Sequence, residues 1–167
     1  MTNQVETTLK DLVNRFNPQS ILVVGPVGEE FFAHYVTDHS QCHMDILTIE
    51  DVGQRLDTLG RYDLVFVSHV LERLDKNTAG NLIAKLRDLH GTRLIMVVPI
   101  GTDWRGHVSF WEKNDLLGYG LVQVGGYMHQ GCPVHIYAFD IATYKTTPDW
   151  LNARYWAHPE LFNKHWW

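Results

Sequence analysis

Residues 62–74 read YDLVFVSHVLERL, and the pattern changes partway along. Leu64 to Val67 is an unbroken apolar run, which suits a strand covered on both faces of a sheet. The run closes in Ser68 and His69 and then passes into a helical pattern. A buried strand that ends in polar side chains delivers them to its carboxyl end, where open α/β sheets bind ligands.

Working outward, strands and helices alternate. Leu9, Leu12, Val13 and Phe16 share one helical face, and Pro18 stops that helix. Ile21–Val24 is an apolar strand closed by Gly25, and Glu29–Val36 reads as a helix. Asp45–Glu50 reads as a second strand ending in the acid pair Glu50-Asp51. Leu82, Ile83, Leu86 and Leu89 form a helical stripe ended by Gly91. Arg93–Pro99 is a further strand. Ser109 and Glu112 have capping-box spacing ahead of a short helix. Leu121–Tyr127 and Val134–Asp140 are strands joined by the turn-rich HQGCP. Alternating elements with mostly apolar strands predict a three-layer α/β domain with a mostly parallel sheet. The short final connection predicts an antiparallel edge.

The chain has 167 residues, 45% of them hydrophobic and 20% charged, which suits one globular domain. A formal net charge of −5 argues against a broad nucleic-acid-binding face. Two cysteines, Cys42 and Cys132, make no disulfide framework, so a cytoplasmic setting is expected. The first residues carry no basic start followed by an apolar stretch, and no apolar run nears the roughly 20 residues of a membrane span. Neither a membrane nor a nucleic-acid partner is therefore expected.

In order, ILVVG, DILTIE, YDLVFVSHVLERL, GTRLIMVVPIG and GHVSFWEKNDLLGYGLVQVGGY resemble the cofactor-site segments and closing strands of class I S-adenosylmethionine-dependent methyltransferases. The likeness covers about residues 19–140. It implies a Rossmann-like methyltransferase fold, S-adenosylmethionine as cofactor and a small-molecule substrate. It places Gly25 and Gly28 in the glycine-rich turn against the cofactor, Glu50 with neighbouring Asp51 on the ribose hydroxyls, and Ser68 and His69 beside the reacting methyl group. His69 is the candidate general base.

The chain also departs from that family. The usual GxGxG would put glycine at Val27 and Glu29, and the usual acid two residues before the first glycine falls on Val23. Only 11 residues, DVGQRLDTLGR, separate Glu50 from Tyr62, where the family fits helix, strand and helix. That length allows one short crossover, so the third strand is expected to be missing. Two functions follow: a methyltransferase acting on a small molecule, with altered or lost cofactor binding, or a non-catalytic scaffold on the same fold.

His129, Cys132 and His135 in HQGCPVH, and His39, Cys42 and His43 in HSQCH, match no standard zinc spacing, and no metal site is expected. Asp103, Trp104, Arg105 and His107 form a loop over the same sheet end, where a substrate could touch them. Residues 1–147 are expected to form the α/β domain. Residues 148–167 carry Trp150, Tyr155, Trp156, Phe162, Trp166 and Trp167, and read as an extension that packs on the domain, serves as a lid, or binds a partner or a second copy.

Overall fold

The computed structural model describes residues 3–143, together with 154, 158–161 and 164. Helix α1 (Asn3–Phe16) is followed by strand β1 (Ser20–Val24), helix α2 (Glu29–Asp38) and strand β2 (His43–Leu47). A short helix α3 (Val52–Arg55) and a 3-10 turn (Leu56–Thr58) lead to strand β3 (Leu64–Ser68). After a second 3-10 turn (Leu71–Arg73), helix α4 (Lys76–Lys85) relaxes into a π-helical turn (Leu86–His90) and strand β4 (Arg93–Pro99). Helix α5 (Lys113–Gly118) and the hairpin of strands β5 (Val122–His129) and β6 (Cys132–Asp140) complete the sheet.

The strand order is β2-β1-β3-β4-β6-β5, with β1 to β4 parallel. Strand β6 pairs antiparallel with both β4 and β5. The antiparallel member therefore lies one place in from the edge, and β5 forms the edge. Gln130 (φ 50°) and Gly131 (φ 81°) close the hairpin with two left-handed residues, the backbone a right-twisted two-residue turn requires. The crossover from β2 to β3 contains no strand, so the family's third strand is absent.

Alternation along the strands divides the core into two layers. Leu22, Val65, Met96 and Tyr137 face one side, where α4 contributes Leu82 and Ile83 and α5 contributes Leu116. Ile21, Phe66, Ile95 and Ile136 face the other, where α1 contributes Leu9 and Val13 and α2 contributes Phe32. Both sides of β1, β3 and β4 are buried, which is why those strands read as continuous apolar runs.

Several boundaries differ from the sequence reading for physical reasons. Strand β2 ends at Leu47 rather than Glu50, because its one neighbour, β1, turns away at Gly25. The last bond of that pair is from the Gly25 amide to the Leu47 carbonyl at 2.9 Å. The helix after Trp111 is capped by Glu112 with Asp115, not by Ser109 with Glu112. Ser109 is instead buried, donating to the Leu71 carbonyl at 2.9 Å and accepting from the Trp111 indole at 3.1 Å. The aromatic positions singled out between residues 148 and 167 lie outside the described residues.

Candidate functional site

Chain order reverses between β1 and β3. Strand β2 lies on one side of this pair and β4 on the other, which opens a crevice at the carboxyl ends of the strands. Gly25, Gly28, Ser68 and His69 all lie at those ends, in the turns that leave β1 and β3.

Gly25 has φ 106° and Gly28 φ 119°, a region side chains rarely adopt. A Cβ on Gly25 would fall on the Ser68 carbonyl oxygen and 2.7 Å from Val70 Cγ2. One on Gly28 would lie 2.6 Å from the Phe66 ring. The two glycines thus let the β1 turn close against the end of β3. Gly28 also begins α2 with no side-chain cap, while Glu29 and Glu30 occupy its first turn, exposed. Val23, where the related family has an acid, is fully buried in the α1–α2 layer.

Glu50 is exposed, three residues beyond the end of β2. Asp51 precedes α3 and pairs with Arg55 at 3.2 Å, so its carboxylate already has a partner. Asp45, inside β2, accepts a 2.7 Å hydrogen bond from the Tyr62 hydroxyl. Burial, with that bond, pushes the Tyr62 phenol up to about 12.

On the other side of the crevice Ser68 is buried and His69 stands in the left-handed region at φ 57°. His69 Nδ1 lies 3.4 Å from Glu72 Oε1; the histidine side chain is 51% exposed and the glutamate side chain 4%. Glu72 Oε2 has no hydrogen-bond partner among the described residues. The loop after β4 fastens this turn, since the Val108 amide donates to the Glu72 carbonyl at 2.8 Å. Tyr127 on β5 has its phenol raised, first by burial and then by the Glu72 charge. Nothing in the spacing of YDLVFVSHVLERL marks Glu72 as buried.

The loop after β4 and the β5–β6 hairpin line the same sheet end, whereas His39, Cys42 and His43 lie at the opposite end, where β2 begins. Trp104 stacks on His107, with ring centroids 5.2 Å apart, and on His129 at 6.3 Å, and its indole donates to the Ile100 carbonyl at 3.0 Å. His129 and Cys132 face each other across the hairpin. Among the described residues no three His, Cys, Asp or Glu side chains are placed to hold a metal ion. No helix among them is long and apolar enough to cross a membrane. A cavity of about 980 Å³ opens elsewhere, between α1 and α2, and meets the β1 turn at Pro26, Val27 and Gly28.

These residues fit S-adenosylmethionine in two respects. The β1 turn has the positive-φ glycine backbone that lets a ligand approach, and an exposed acid, Glu50, follows β2 on the same side. They do not supply the acid for the ammonium, because Val23 takes its place in the core.

The magnesium protoporphyrin IX methyltransferase ChlM from Synechocystis PCC 6803, with bound SAH, superimposes with TM-score 0.53 at 17% identity, over 81% of each chain. The N-terminal domain of EvdMO1, in the presence of SAH and D-fucose, gives TM-score 0.55 at 10% identity over 83% of each chain. The mitomycin 7-O-methyltransferase MmcR gives 0.51 at 12%, over 80% of this chain and 52% of that one. At these identities the shared property is the fold, a class I methyltransferase-like one. No curated protein matches by sequence. One family model, described as a family of unknown function (DUF6231), matches residues 3–167.

Proposed function

The chain belongs to the family of unknown function DUF6231, and from that premise and the strand-end geometry we propose that it is an S-adenosylmethionine-dependent methyltransferase with a small-molecule substrate. The observation that carries this reading is the meeting of the β1 glycine turn, Glu50 and the Ser68–His69 turn at the carboxyl ends of three adjacent parallel strands. The solved structures of similar fold described with bound SAM or SAH support the choice of ligand.

In this reading the backbone from Gly25 to Gly28 and the Glu50 carboxylate would hold the cofactor, the acid by accepting from its ribose hydroxyls. The cofactor, when bound, supplies an electrophilic methyl group. Ser68 holds the β3 turn against Gly25, and His69 faces the acceptor with its half-exposed ring. Proximity in such a crevice supplies much of the rate, and a base beside the acceptor supplies the rest.

A non-catalytic scaffold is the second reading. It draws on the filling of the space beside Gly25 and Gly28 by the Ser68 carbonyl and the Phe66 ring, and on the burial of Val23. Titration calorimetry with S-adenosylmethionine and S-adenosylhomocysteine separates the two. Binding of either that is lost in Glu50→Ala is the expected result. No heat from either at millimolar concentration sinks the enzyme reading and leaves the scaffold.

A further inference from the structure

We propose that Glu72 is the positioning partner of His69, and that the pair takes a proton from a hydroxyl- or amine-bearing acceptor in the crevice. The inference rests on the crevice being the reacting site, as proposed above, and adds the kind of acceptor.

Three observations lead there. Glu72 is 3% exposed, yet one of its carboxylate oxygens has no hydrogen-bond partner among the described residues. A buried carboxylate that served the fold alone would have both oxygens bonded, because burying an unsatisfied charge is costly. Next, His69 holds a left-handed backbone that glycine or asparagine adopts more readily, and strain of this kind collects at functional sites. In that conformation its Nδ1 faces Glu72 Oε1 at 3.4 Å while half the side chain stays open. Finally, the turn that carries Glu72 is clamped. The Val108 amide holds the Glu72 carbonyl and the Ser109 hydroxyl holds the Leu71 carbonyl.

The chemistry follows from the geometry. A carboxylate beside Nδ1 favours the tautomer with its proton there, which leaves the Nε2 lone pair as the base. The acceptor X–H gives its proton to Nε2, and the bonding pair stays on X as its nucleophilic pair. The imidazolium that forms is balanced by the Glu72 carboxylate. Such a base serves a hydroxyl, whose proton must leave for the oxygen to attack, or an amine, which attacks through its lone pair and sheds its proton as the new bond forms, and it is superfluous for an acceptor that is already an anion.

The test uses the full chain with 15N-labelled histidine, and long-range 15N–1H NMR spectra in which His69→Gln identifies the His69 signals. The expected result is a neutral His69 protonated at Nδ1, converting to the Nε2-protonated form in Glu72→Leu, with melting of that variant at or above wild type. An unchanged tautomer overturns the proposal. So does melting well below wild type, which would make Glu72 a structural residue. Glu72→Gln keeps the shape and removes the charge, and it reads the pairing through reactivity. It should slow acylation of His69 by diethyl pyrocarbonate severalfold, and an unchanged rate overturns the pairing. The spectra need no cofactor. Nδ1 protonation in a protein that binds no S-adenosylhomocysteine upholds the pair and removes only the cofactor reading.

Discussion

At the scale of residues, the glycines of the β1 turn and Gly53 make a controlled contrast. Gly25→Ala meets both a left-handed backbone and the Ser68 carbonyl. The first costs about 1–2 kcal/mol and the second, as overpacking, about 1–3 kcal/mol, so urea denaturation should show a loss of roughly 3 kcal/mol. Gly53 lies in α3 with nothing within 4 Å of its Cβ position. Gly53→Ala should be neutral or gain up to about 1 kcal/mol. Tyr62 gives a pH dependence. Its folded pKa is raised to about 12, above the usual value of 10.0. The stability it contributes is therefore complete below about pH 10 and lost as pH rises through about 12. Denaturation midpoints across that range should fall less steeply in Tyr62→Phe, and one tyrosinate absorbance step near the upper limit should disappear. A variant as steep as wild type would refute the assignment.

At the scale of elements, legibility followed burial. Strands β1, β3 and β4 were readable because both faces are covered, so all but one end residue of each is apolar and the run is unmistakable. Strand β2 was placed too late because it is an edge strand whose end is set by where β1 stops, a fact outside its own residues. The cap of α5 was misassigned for a similar reason. Ser109 has the right spacing, but the fold spends its hydroxyl on the Leu71 carbonyl and the Trp111 indole. The cap that forms has the Glu112 amide donating to Asp115 at 2.9 Å, and Asp115 also pairs with Lys76 at the start of α4. Asp115→Ala should therefore cost about 1 kcal/mol, measured by chemical denaturation, whereas Glu29→Ala, at the exposed start of α2, should cost much less. Equal losses would deny the capping box its role.

At the scale of the whole molecule, the buried members of both apolar layers, among the described residues, run from Leu9 to Phe139. We propose that residues 1–147 form the folded domain and residues 148–167 an extension of it. A chain ending at residue 147 is then expected to keep its circular dichroism spectrum and cooperative melting. Any self-association of the full chain, measured by sedimentation, should be lost in the shorter one. Cooperative melting that vanishes on truncation would assign the extension to the core. The exposed Leu117, Val122 and Val124 near the β5 edge are the apolar surface such an extension or a second copy would cover.

The sequence by itself determined the alternation of elements, the deleted third strand and the sheet end at which polar residues gather. Those follow from local periodicity and connection length, which need no distant contact to read. YDLVFVSHVLERL fixed the central strand and marked Ser68 and His69 as its polar end. Only the tertiary structure decided that the antiparallel strand lies inside the edge, and that the space beside Gly25 and Gly28 is taken by β3. It also decided that Glu72, one charged residue among 33 Asp, Glu, Lys and Arg in the chain (14 basic and 19 acidic), is buried against His69. The pairing is local, between residues three apart in one turn, but the burial depends on β5 and the loop after β4 closing over that turn, which no spacing along the chain encodes.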